Sequence, residues 1–115
     1  MDYEILCNKI FDIDSQIRFV AIYSKKSGKI AGGMRNGLKT LIPEAITTLS
    51  VEQSFMRWET RLRMKEWIGL PKYALAEYDK IKRFTFHVNN EKLLLVSTEL
   101  GISNDFLIEN IRKLI

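Results

Sequence analysis

Residues 43–68, PEAITTLSVEQSFMRWETRLRMKEWI, constrain the fold more than any other part of the chain. Apolar residues recur there at helical spacing, and no glycine or second proline interrupts them. Pro43 suits a first helical turn, where no intrahelical N–H partner is lost. Gly69 supplies a left-handed stop and Pro71 prevents continuation. The spacing predicts one helix of about 26 residues, about 39 Å long at 1.5 Å per residue. That is long for a chain of 115 residues.

The helix has two apolar stripes, where a helix lying on a sheet needs one. Ile42, Ala45, Ile46, Leu49, Met56, Met64 and Trp67 fall on one side. Val51, Phe55, Trp58 and Leu62 fall on the other. The polar edges between them carry Arg57, Arg61 and Lys65 on one flank, and Glu52, Glu59 and Glu66 on the other. The first stripe has more members and is assigned to the sheet. The second is then an outer patch, and Val51, Phe55, Trp58 and Leu62 become the expected interface of a homodimer, or of a heterodimer with a similar domain. Cover by a loop or terminal helix of the same chain is the other reading. On the interface assignment, a charge at position 58 separates a dimer without unfolding it.

The flanking segments supply a sheet. A short helix is expected over 2–12, with Leu6, Ile10 and Ile13 at helical spacing. IRFVAIYS, residues 17–24, is rich in β-branched and aromatic residues and reads as a strand. KIAGGMR returns after the turn KKSG. Three strands follow the long helix, from Tyr73, from Lys82 and from Lys92. In KRFTFHV, Phe84, Phe86 and Val88 alternate with Arg83, Thr85 and His87, so one face is expected to be wet. Asn89-Asn90 suits a tight turn. KLLLVSTE reads as covered on both faces, and Ser103 or Asn104 caps a last helix. The expected fold is therefore α+β, with a five-stranded, mainly antiparallel sheet between one long central helix and two terminal helices.

This order, with the hairpin SKKSGKIAGG, resembles the roadblock/LC7 fold of the profilin-like group, which also includes longin and PAS domains. The resemblance spans nearly the whole chain, as one domain over 1–115, and the chain also resembles small archaeal proteins. It implies a dimeric scaffold joined through the central helix, in some cases a platform for a small GTPase. A PAS-like sensor, with a small-ligand cavity between helix and sheet, is the alternative.

Catalytic motifs are absent. SGKIAGGMRNG lacks GK[ST] and GxGxxG, so its glycines read as a hairpin and not as a phosphate loop. Lys25, Lys26, Lys29, Arg35 and Lys39 occur with no acid between them, and the formal net charge is +4. These five are the candidate contacts for an anion or a nucleic acid, although few aromatics accompany them for base stacking. Cys7 and His87 are the only cysteine and histidine. They are too few for a structural zinc site, and Cys7 is expected to pack as a small hydrophobe. No cofactor, metal or enzymatic activity is expected. No apolar run approaches the length of a membrane span, and the first ten residues lack the basic start of a signal peptide, so a cytoplasmic protein is expected.

Overall fold

The computed structural model describes residues 2–89 and 91–115. The elements are α1 (Tyr3–Phe11), β1 (Ile17–Ser24), β2 (Gly28–Met34), α2 (Glu44–Leu62), α3 (Lys65–Ile68), β3 (Tyr73–Glu77), β4 (Lys82–Asn89), β5 (Lys92–Thr98) and α4 (Asn104–Leu114). The five strands form one sheet in the order β2-β1-β5-β4-β3. Every neighbouring pair is antiparallel. The α2–α3 segment crosses from the β2 edge to the β3 edge.

The two faces of the sheet carry separate cores because successive strand residues point to opposite sides. Along β5, Leu94 and Val96 join Val20, Ile22, Phe84 and Phe86 beneath α1 and α4. Leu6, Ile10, Leu107 and Ile111 cover them. Leu93 and Leu95 face the other way and meet Val51 and Trp58 of α2. β5 is thus covered on both faces, as its unbroken apolar run requires.

Polar groups fix how the terminal helices seat. The Asp2 side chain accepts from the Ile5 amide at 3.1 Å, and the Ser103 hydroxyl accepts from the Phe106 amide at 3.3 Å. Asn104 has a different task. Its Oδ1 accepts from the buried Lys82 ammonium at 2.7 Å, and Lys82 also donates to the Ile102 carbonyl at 2.8 Å. This lysine ties the start of α4 to β4.

The glycine-rich hairpin is built around one close approach. A Cβ at Gly32 would stand 2.0 Å from the Val20 carbonyl oxygen, and its φ is +89°. The register of β1 and β2 shifts between Ile22 and Tyr23, leaving Ile30 as the extra residue of a bulge. Gly32→Ala is therefore expected to cost at least about 2 kcal/mol, since it combines backbone strain with a backbone overlap. Urea unfolding monitored by circular dichroism measures it. The Asn89-Asn90 turn includes Asn90, which lies outside the described residues. Next to it, Glu91 has φ 63°.

Three local expectations are corrected. The long helix is two pieces: α2 of 19 residues, then the four-residue α3. At the junction the Arg63 and Met64 amides reach back three residues, to Thr60 and Arg61 at 3.2 and 3.1 Å. This tighter turn redirects the chain. The second correction concerns β4. Arg83, Thr85 and His87 do not face water but lie half-buried on the α2 side. There His87 stacks on Trp58, with ring centroids 5.9 Å apart and 13° between planes.

The third correction concerns α2 itself. Val51 and Trp58 are buried on the sheet, and Phe55 and Leu62 pack partly buried against the same cluster. The four residues expected between two chains thus cover the sheet of their own. Ile46, Leu49 and Met56 of the more populated stripe are exposed. Side-chain bulk explains the reversal. The strip between Leu93, Leu95 and Ala74 is filled by two large aromatics, which bury more area than several small or flexible side chains.

Candidate interaction surface

The outward side of α2 carries a row of exposed residues, three of them apolar. Ile46, Leu49, Gln53, Met56 and Thr60 recur at intervals of three and four, the spacing of a helix-pairing seam. Leu49 is 48% exposed and Met56 66%. After the turn at Arg63 and Met64, α3 adds Trp67 and Ile68, 76% and 77% exposed. Leu70, just after α3, is exposed as well. Scattered exposed apolar residues are ordinary, but this many on two successive helices, a tryptophan among them, are not.

A groove of about 830 Å³ runs along the opposite flank of α2. Phe19, Tyr23 and Met34 form its floor on β1 and β2, and Val51 and Phe55 form one wall. It arises because α2 lies over β5 and leaves the β1–β2 part of that face uncovered. Burial in this setting raises the Tyr23 phenol pKa, against a smaller opposing effect from Arg83.

The five basic residues do not converge. Arg35 is committed internally: its Nε donates to the Ile17 carbonyl at 2.6 Å, and its Nη2 to the Phe11 and Asp14 carbonyls at 2.8 Å each. Its guanidinium also lies over the Phe11 ring. This clamp between α1 and the first hairpin removes Arg35 from the expected anion contacts. Lys25 pairs with Glu59 across the groove, and Lys26 approaches Glu91 at 3.8 Å. Lys29 lines the groove, while Lys39 stands apart in the loop before α2.

The remaining reactive types are absorbed by packing. Cys7 is buried, and burial, with a smaller push from Glu4, raises its thiol pKa to about 11. A thiol so shifted is a poor nucleophile at neutral pH. Among the described residues, no three His, Cys, Asp or Glu side chains come together to hold a metal ion. Among the same residues, no helix is long and apolar enough to cross a membrane.

Known structures share this layered arrangement. A roadblock/LC7 domain from Streptomyces avermitilis superposes with TM-score 0.72 at 14% identity, over 99% of this chain and 92% of that one. The fold is that of roadblock/LC7 domains. Myxococcus xanthus MglB matches with TM-score 0.73 at 14% identity, over 96% of this chain and 86% of that one. The gliding protein mglB from Thermus thermophilus matches with TM-score 0.73 at 8% identity, over 96% and 80% of the two chains. No family model and no curated protein matches the sequence. The organisms named lend no support to the archaeal resemblance. The roadblock-like fold is thus shared with proteins only 8–14% identical to this chain.

Proposed function

We propose that this roadblock-like chain is a non-enzymatic interaction module that pairs with a second copy of itself through the outer face of α2 and α3. The observation that carries this reading is the exposed row Ile46, Leu49, Met56, Trp67 and Ile68. Water-exposed apolar area of this extent gains most by meeting its like. Gln53 and Thr60, polar positions within the row, favour one register over a slipped one. The roadblock resemblance adds a role for the pair as a cytoplasmic scaffold, with a small GTPase as the partner class. Molar mass in solution, for the native chain and for charge-bearing variants of the row, tests the pairing.

The groove supports a second reading, the binding of a small apolar ligand. Its volume lies within the range of small-molecule sites, and its apolar floor of Phe19, Tyr23 and Met34 is rimmed by polar and charged side chains such as Lys25, Lys29 and Glu52. Native mass spectrometry of the purified protein checks this. A stoichiometric adduct, lost on Phe55→Trp, is the expected result if the groove holds a ligand; a bare chain mass contradicts it.

A further inference from the structure

The two flanks of α2 differ in charge. Glu52 and Glu59 border the groove toward β1 and β2, and Glu59 is neutralised by Lys25. Arg57 and Arg61 lie on the other flank, toward β3. With Arg83 of β4 they line a notch of about 90 Å³ between helix and sheet. The notch exists because the β3 side chains lining it are Ala74 and Ala76, opposite Thr85 and Arg83 in the ladder. Larger residues there would close it.

Among the described residues, no carboxylate lies within ion-pair distance of any of the three guanidinium groups. Neutral groups hold them instead. Arg57 Nη2 donates to the Ser54 hydroxyl at 3.2 Å, and Arg83 Nη1 donates to the Ser50 hydroxyl at 2.7 Å. The Ser54 hydroxyl in turn donates to the Ser50 carbonyl at 2.9 Å. Arg61 lies over the Trp58 ring, 5.8 Å from its centroid. Each guanidinium carries five donors, so most of them remain free. Three cations thus border one small space with their mutual repulsion uncompensated, and the arrangement is organised before any anion arrives.

We infer that this notch is the recognition site for an aspartate or glutamate side chain of an acidic segment on a protein partner. The planar guanidinium fork matches a carboxylate in bidentate fashion. A volume of about 90 Å³ accommodates one such group. The rim favours a protein over a nucleic acid. Tyr78 borders the notch and is exposed, offering apolar contact beside the charge. A nucleic acid would call for a longer track of phosphate contacts. This inference deepens the interaction-module reading by giving the partner's chemistry, but uses the basic flank of α2 and not its outer row.

The test uses the full chain and a fluorescein-labelled peptide of alternating glutamate and leucine, with binding read by fluorescence anisotropy. Arg57→Gln with Arg61→Gln is expected to weaken binding about tenfold or more. Lys25→Gln with Lys29→Gln removes the same two charges elsewhere and is expected to change it less than about twofold. Equal losses in the two pairs, or no binding of the peptide by the native chain, would overturn the assignment. So would competition by inorganic phosphate at the concentration at which the peptide binds, which would make the notch a site for small anions. Molar mass measured on the same arginine variants separates the two proposals. Unchanged pairing with lost peptide binding is expected, and loss of pairing in the arginine variants would show that the flank serves self-association.

Discussion

Trp58→Ala is expected to destabilise the fold by about 4 kcal/mol, the cost typical of emptying a large aromatic site in a core. Domains of this size commonly have only about 5–15 kcal/mol of total stability, so little margin would remain. Trp58 is 3% exposed and joins α2 to Leu93 and Leu95 of the central strand β5. It also stacks on His87 and lies beneath Arg61. The alanine variant therefore loosens α2 as a unit. Trp58→Phe is expected to cost much less, about 1–2 kcal/mol. It retains most of the apolar contact and discards an indole N–H that has no protein acceptor among the described residues. Urea denaturation followed by far-ultraviolet circular dichroism ranks the two. A fully stable Trp58→Ala chain would mean that α2 does not rest on the sheet through this residue.

Leu49→Glu with Met56→Glu is expected to do the opposite, leaving stability unchanged within about 0.5 kcal/mol while abolishing pairing. Both side chains are exposed and neither belongs to a core cluster, so their replacement opens no cavity in the chain's own core. In a symmetric pair, each substitution occurs twice. Four carboxylates would then enter the seam, a burial that costs several kcal/mol. The dissociation constant should rise about 100-fold or more. Unfolding in place of dissociation would show that the row is part of an intramolecular core.

Much of the fold was legible because local chemistry and global topology agree. The glycine-bounded hairpin, the doubly apolar β5 and the cap at Ser103 each predict their own surroundings. The orientation of α2 was not legible for a specific reason. Both of its stripes are apolar, and the choice rests on how Trp58 and Phe55 fill the space above Leu93 and Leu95, a matter of volume and not of number. The break after Leu62 has no glycine or proline to announce it. His87 and Arg83 alternate with phenylalanines in a way that suggests a wet face, yet the aromatic ring of Trp58 turns that face into an interior. Arg35 looked like part of a basic run because sequence cannot show three carbonyls converging on one guanidinium. The arginine notch left a trace in the pair Arg57 and Arg61, but Arg83 joins them only through the fold.

Light scattering coupled to size exclusion, across a concentration series, tests the central claim most directly. The native chain is expected to show the mass of two copies, falling toward one on dilution, and the Leu49→Glu, Met56→Glu variant the mass of one throughout. A native chain that has the mass of one copy at every concentration, or a variant that pairs as well as the native chain, would contradict the account.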